Sequence, residues 1–345
     1  MYKNLLRPLL FRLNPELAHD LVLAGLGFLR KIPFGRSLSK LFFKKSYPAL
    51  KREVFGIEFP NPVGLAAGLD KNGSYYNELS DFGFGFIEIG SLTPKPQPGN
   101  PKPRLFRLPA DKALINRMGI NNVGMVKAGT NLKKNKPEVI LAASISKNSL
   151  SQDEQIAKDY ESCFSALYDF VDFFVVNVSC PNVEGLCNLQ DASFLSDIMD
   201  PLLDKRAGMD KYKPVLVKVS LDITNDQLDE ILSYSMMSGA DGIVVGNTTK
   251  TRKGLSADEE TLSSIGNGGL SGAPLYQKSL DMIKYVYSKT GGKLPIVGVG
   301  GIMTPEQALE MLNSGASLIE IYTGFIYEGP AFVGRILQKL NEQEN

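Results

Sequence analysis

Phe173-Phe174-Val175-Val176-Asn177-Val178-Ser179-Cys180-Pro181-Asn182 is the stretch on which the fold turns. Four consecutive apolar residues, two of them β-branched, describe a strand buried on both faces, as in a parallel sheet covered by helices. Pro181 stops that strand by removing a backbone donor. The chain thereby delivers an amide, a hydroxyl, a thiol and a second amide at a strand's carboxyl end. Parallel α/β folds place their chemistry there.

Similar runs lie on either side, at Val63–Ala67, Phe86–Ile89, Ile140–Ile145, Val215–Val219, Gly242–Val245, Ile296–Val299 and Leu318–Ile321. Helical patterns intervene, such as Gln227–Met237 and Pro305–Ser314, the latter with Thr304 as N-cap and Pro305 in the first turn. Eight apolar strands separated by helices predict an α/β fold, a (β/α)8 barrel of the TIM type over residues 49–345. Val54-Phe55 and Ile57–Phe59, flanking Gly56, predict a small hairpin before it. The proline-rich residues 94–103 read as a stiff surface excursion, because barrel strands lie on both sides. No repeat longer than the βα unit is visible.

Of 345 residues, 43% are hydrophobic and 22% charged, which describes an ordinary globular protein. Three cysteines (163, 180, 187) and the single His19 form no zinc-binding pattern, so no metal is expected and a reducing compartment is the default. A net charge of +1 hides an asymmetry: residues 1–52 hold eleven Lys/Arg against Glu16 and Asp20, hence +9, leaving −8 for the rest. Leu5-Leu6, Leu9-Leu10-Phe11 and Leu21–Leu29 interleave with those charges. Residues 1–48 therefore read as an amphipathic helical extension that lies on an anionic lipid surface. The plainer alternative is a helical hairpin packed on its own barrel with solvated charges. No run is long enough to span a bilayer, and Arg7, Pro8 and Arg12 interrupt any cleavable signal.

The loops after strands seven and eight of such barrels often bind phosphate. Here they read Gly298-Val299-Gly300-Gly301 and Tyr322-Thr323-Gly324, with the turn Gly269-Leu270-Ser271-Gly272 just upstream. No GxGxxG opens the first βα turn, so a Rossmann site is not supported. Lys218, inside the buried strand Val215–Val219, needs a counter-ion or a task, unless it snorkels to the rim. Asn116, Asn177, Asn182 and Asn247 each sit in a Gly/Pro-bounded loop or at a strand end. Singly they are turn caps; together they complement a ring with alternating N–H and C=O groups.

Together, Ala66-Ala67-Gly68-Leu69-Asp70-Lys71, Asn116-Arg117-Met118-Gly119 and Asn177–Asn182 closely resemble the dihydroorotate dehydrogenases, FMN enzymes of pyrimidine synthesis, and the resemblance runs nearly the whole chain. It implies oxidation of (S)-dihydroorotate to orotate, with FMN as hydride acceptor. FMN positions would be Ala67, Gly68, Lys71, Ser91, Asn177, Lys218, Gly272, Gly301, Tyr322 and Thr323. Ser144 and Gly246 stand where flavin-contacting Asn and Thr are common. Lys71 would meet the substrate carboxylate, with Asn116, Arg117, Met118, Gly119, Ile120, Asn177, Asn182, Asn247 and Thr248 around the ring.

The N-terminal extension and the proline-rich stretch are similar to the quinone-using, membrane-associated class, which places His19, Arg107 and Tyr322 near a quinone head group. Cys180 falls at the position of the catalytic base. That class usually carries serine there, whereas soluble members carry cysteine. The expectation is a monomeric enzyme, peripheral on the cytoplasmic face of a bacterial inner membrane, with no nucleic-acid partner. A soluble member using fumarate or NAD is the rival that Cys180 favours. A flavin-dependent tRNA-uridine reductase would need a basic RNA-binding domain, against a barrel that is net negative. A non-catalytic phosphate-binding scaffold on membranes is the remaining alternative, which flavin absorbance would exclude.

Overall fold

A computed structural model of the chain describes residues 2–152, 154–179 and 192–344. A π-helical turn over Tyr2–Leu6 leads into α1 (Arg7–Arg12), α2 (Pro15–Leu29) and α3 (Gly35–Phe43). Asn14 caps α2, its Oδ1 accepting from the backbone of Glu16 (3.0 Å) and Leu17 (3.3 Å), with Pro15 pre-set in the first turn. The expected helical pair is therefore present, with α3 as an addition. Most apolar side chains of these helices face outward, Phe34, Leu41 and Phe42 being more than 70% exposed, while Ala18 and Leu23 pack inward. No helix among the described residues is long and apolar enough to cross a membrane.

β1 (Arg52–Val54) and β2 (Ile57–Phe59) form the expected hairpin. The barrel strands follow: β3 (Val63–Leu65), β4 (Phe86–Leu92), β7 (Ile140–Ile145), β8 (Phe173–Asn177), β9 (Val215–Val219), β10 (Gly242–Val245), β12 (Ile296–Val299) and β13 (Leu318–Ile321). All eight strands expected from the apolar runs are present, parallel, and closed by β13 onto β3 with Ile319 opposite Val63. Around them lie α4 (Tyr76–Ser80), α5 (Gly124–Lys134), α6 (Glu154–Leu167), α7 (Ala192–Ala207), α8 (Asn225–Ser238), α9 (Glu259–Ile265), α10 (Tyr276–Thr290), α11 (Pro305–Asn313), α12 (Thr323–Glu328) and α13 (Phe332–Glu344). Thr304 and Gln307 close a capping box at α11, as the Thr-Pro start predicts.

Alternation sorts the strand residues. Ile87, Phe174, Val176 and Val217 face the helices, whereas Phe86, Phe173, Leu216 and Val244 fill the barrel. The hairpin plugs the lower end: Phe59 meets Phe86 edge-on at 5.4 Å and Phe55 meets Phe173 at 5.3 Å. With the lower end filled, the barrel interior faces a ligand from the carboxyl ends of the strands.

Two expectations change. Gly269–Gly272, read as a turn, is strand β11, and it joins β5 (Leu105–Leu108) and β6 (Ala113–Asn116) in an antiparallel sheet outside the barrel. The proline-rich excursion does not simply lie on the surface: Gln97 pairs with Asn122 through both backbone groups (3.0 and 3.1 Å). Its side-chain amide donates to the carbonyls of Gly119 (3.1 Å) and Ile120 (2.9 Å). The prolines stiffen a clamp that holds the 117–122 loop over the barrel.

Candidate active site

A cavity of about 460 Å³ lies at the carboxyl ends of the strands, between the barrel, the outer sheet and α2. β3 ends in Ala66, Ala67 and Gly68, whose small side chains leave one wall flat, and Lys71 follows on the same wall. The clamped loop brings Asn116, Met118, Gly119 and Ile120 to the opposite side. Ser91, Asn177, Lys218, Gly246, Asn247 and Thr248 contribute from the central strands, and Gly272, Gly301, Tyr322 and Thr323 close the far end. Cys180 and Asn182 lie outside the described residues.

A chain of hydrogen bonds orders the central strand ends. Ser144 and Ser91 share a bond of 2.8 Å, and Asn177 Nδ2 donates to Ser91 Oγ at 2.8 Å. Asn177 Oδ1 accepts from the Ser179 amide (3.3 Å), and Asn247 Nδ2 donates to Ser179 Oγ (2.9 Å). Ser144 is thus placed behind Ser91, outside the cavity lining, orienting it and Asn177. Gly246 does line the cavity, with φ +123°, and a Cβ there would sit 2.1 Å from the Val299 carbonyl oxygen. Any larger residue would require the backbone to move.

At the cavity floor Lys218 Nζ donates to Glu88 Oε1 (3.3 Å) and Oε2 (3.0 Å) and lies 3.7 Å from Glu320. Burial opposes the ammonium charge, but the groups facing it, Glu88 first and Glu320 after it, outweigh that, so Lys218 titrates above the ordinary lysine range. Both glutamates escaped the sequence reading. A signal was there: each is a charge inside an apolar strand, Phe86-Ile87-Glu88-Ile89 and Leu318-Ile319-Glu320-Ile321, as Lys218 is.

Lys71 is pushed down to about 8, chiefly by burial and further by Arg104, against the opposing pull of Glu16, Asp20 and Asp70. His19, on α2, puts Nε2 2.9 Å from the Leu69 carbonyl and Nδ1 2.9 Å from Asp20. The carbonyl can only accept, so Nε2 carries a proton. Burial, then Lys71, lowers this imidazole's affinity for a second one.

Tyr322 donates to the Gly68 carbonyl (3.3 Å), and burial raises its phenol to about 12. Arg107 and Arg117 turn away from the cavity: Arg107 binds the carbonyls of Phe11 (3.3 Å) and Leu13 (2.7 Å), and Arg117 those of Ile265 and Asn267. The first tethers the end of α1; the second ties the substrate-side loop to α9.

A further tether was not foreseen. Arg104 reaches Glu16 through Nη2 (2.7 Å) and Nε (3.2 Å), both side chains nearly buried, fastening α2 across the cavity mouth. At the far end, Thr323 Oγ1 and Ser271 Oγ are 2.9 Å apart. Gly301, with φ +76°, turns so close to Tyr276 at the start of α10 that a Cβ would lie 2.3 Å from its backbone nitrogen. Gly301, Ser271 and Thr323 thereby bring backbone and two hydroxyls together at this end of the cavity. Among the described residues no cluster of His, Cys, Asp or Glu is arranged to hold a metal.

Comparison with known proteins agrees with this layout. The family model described as dihydroorotate dehydrogenase matches residues 49–343. The chain is 46% identical over 343 residues to "Dihydroorotate dehydrogenase (quinone)" of Christiangramia forsetii, covering 99% of each. It is 44% identical over 345 residues to the protein of the same name from Coxiella burnetii, covering 99% of this chain and 97% of that one. Among solved structures, DHODH of Eimeria tenella in complex with ferulenol superposes with a TM-score of 0.84 at 33% identity, covering 94% of this chain and 90% of that one. The ligand-free form from the same organism gives 0.85 at 32% identity, covering 94% of each. With barrel, cavity and these full-length likenesses in agreement, the chain belongs to the dihydroorotate dehydrogenase family.

Proposed function

We propose that the protein oxidises (S)-dihydroorotate to orotate, with FMN bound at the barrel mouth and a membrane quinone as the final electron acceptor. The reading is carried by one cavity that gathers Lys218, Lys71, three of the expected asparagines and a glycine-hydroxyl end suited to phosphate, and that opens towards an amphipathic helix. FMN fits these residues: Lys218 would meet a ring edge that gains negative charge, Ala66–Gly68 would give a flat wall, and Gly272, Gly301 and Thr323 would serve the phosphate. FMN, when bound, supplies the hydride acceptor and the relay of electrons to the quinone.

The chain does the rest. Lys71 holds the substrate carboxylate, and Asn116, Asn177, Asn182 and Asn247 match the ring's alternating N–H and C=O groups. Ser91, held by Ser144 and Asn177, would offer its hydroxyl to the flavin. Cys180 takes the ring proton. His19 and Tyr322 stand where the mouth meets α2, and would turn their donors from the Leu69 and Gly68 carbonyls to quinone carbonyls when the quinone binds. The outward-facing Leu and Phe side chains of α1–α3, with their lysines and arginines, would rest on anionic lipid.

Two experiments test this reading. Lys71 titrates near 8 and binds a carboxylate only when charged, so orotate affinity should fall as pH rises through that value. Lys71→Arg, which stays charged, should flatten the profile in a fluorescence titration. Unchanged pH dependence in Lys71→Arg removes Lys71 from the carboxylate site. Deleting residues 1–48 should leave reduction of bound flavin by dihydroorotate intact while quinone turnover drops steeply. The full chain, unlike the deletion variant, should bind anionic vesicles less tightly as salt rises, since screening acts within about 8–10 Å. Equal quinone turnover with and without the segment contradicts a quinone site at α2.

A further inference from the structure

The floor of the cavity holds more acid than base. Lys218 stands between Glu88 and Glu320, with side chains 8%, 0% and 1% exposed. Glu88 receives both short contacts from the ammonium. Among the described residues neither oxygen of Glu320 has a hydrogen-bond partner, and the residue is among those that line the cavity. Two ionised carboxylates beside one ammonium would leave an uncompensated negative charge in a site shielded from water, the costliest arrangement for these three groups.

We propose that this cluster carries one dissociable proton, lodged on Glu320, so that the cavity floor presents two donors, the Lys218 ammonium and the Glu320 hydroxyl, and no net charge. A ring edge bearing acceptors is the chemistry such a floor recognises. The proton itself does not depend on the flavin reading; only the identity of the ring facing it does.

The surroundings agree. The charged groups facing Glu320 are Glu88 on β4 and Lys218 on β9. The strands flanking it pair Val299 and Gly64 with it, and neither residue titrates. Burial, and next the Glu88 charge, raise Glu320 well above the ordinary carboxylic range, with Lys218 only partly opposing them.

The consequence for stability has a definite sign. The folded protein keeps a proton that the unfolded chain releases in the ordinary glutamate range, so folding loses stability as pH rises from there through the raised value. Glu320→Gln copies the protonated acid without titrating. Thermal unfolding of the full-length protein should therefore show the variant more stable than wild type at neutral and alkaline pH, the two converging in acid. A difference independent of pH, or one of opposite sign, overturns the proposal.

Infrared spectra supply a measurement that does not depend on the variant's stability. Wild type should retain a protonated-carboxyl stretch at neutral pH, and its absence overturns the proposal. In the flavin-loaded protein, flavin release at alkaline pH should be greater from wild type than from Glu320→Gln. Lys71 titrates equally in both, so only their ratio is read. Equal release at every pH overturns the donor role. A protein that binds no flavin but keeps the infrared band and the unfolding difference would instead refute the flavin reading.

Discussion

Replacing Lys218 with alanine should destabilise the fold by about 3–5 kcal/mol and abolish flavin binding, because a buried Glu88 loses its counter-ion. Glu88 is fully buried and accepts from the ammonium at 3.0 and 3.3 Å. Truncation also leaves a hole where three methylenes and the ammonium lay. The double variant Glu88→Gln/Lys218→Met removes both charges and fills most of that volume. It should therefore recover much of the lost stability, in a clear departure from additivity. Flavin binding should stay lost, because the cation beneath the ring is gone. Denaturant unfolding of wild type, single and double variants separates the two effects. A loss below about 1 kcal/mol in Lys218→Ala would put the pair in the range of solvent-exposed ion pairs and contradict its burial.

The same three residues mark what the sequence could and could not convey. Strands of a parallel barrel are buried on both faces, so they appear as unbroken apolar runs, and Phe173–Val176 or Gly242–Val245 could hardly be read otherwise. Lys218 drew attention as a charge in such a run, yet Glu88 and Glu320 obey the same rule and passed unnoticed. Their partnership joins residues more than a hundred positions apart, and no periodicity reports that. The outer sheet was illegible for another reason. Its strands break their apolar runs, with Arg107 in β5 and Ser271 in β11, and Gly269–Gly272 carries two glycines, so turn propensity outweighed strand propensity. The proline-rich clamp depends on Gln97 reaching Asn122, and the α2 tether on Arg104 reaching Glu16. Both are contacts that tertiary structure alone creates. Of the loop asparagines, each of which alone reads as a turn cap, Asn116, Asn177 and Asn247 line one cavity, and Asn182 lies outside the described residues.

Cys180→Ala should slow the reduction of bound flavin by dihydroorotate about 10²–10⁴-fold while leaving FMN and orotate binding in place. The strand leading to it ends in a fixed network of Asn177, Ser179 and Asn247, so the motif's neighbours are oriented independently of the thiol. A thiol with a reference value of about 8.5 ionises far more readily near neutrality than a hydroxyl. Cys180→Ser should therefore keep part of the activity and need higher pH to express it. Alkylation should inactivate wild type, and orotate should protect it, because substrate ring and thiol would be in contact. Cys163 is the internal control: it is fully buried, and burial pushes its thiol well above the usual range, so it should neither react nor matter when replaced. Wild-type reduction rates in Cys180→Ala across pH would move the base elsewhere. Ser179 would be next in line, since its buried hydroxyl already accepts a hydrogen bond from Asn247 at 2.9 Å. The barrel and its cavity would be untouched by that result, because the groups that build them are supplied by other strands.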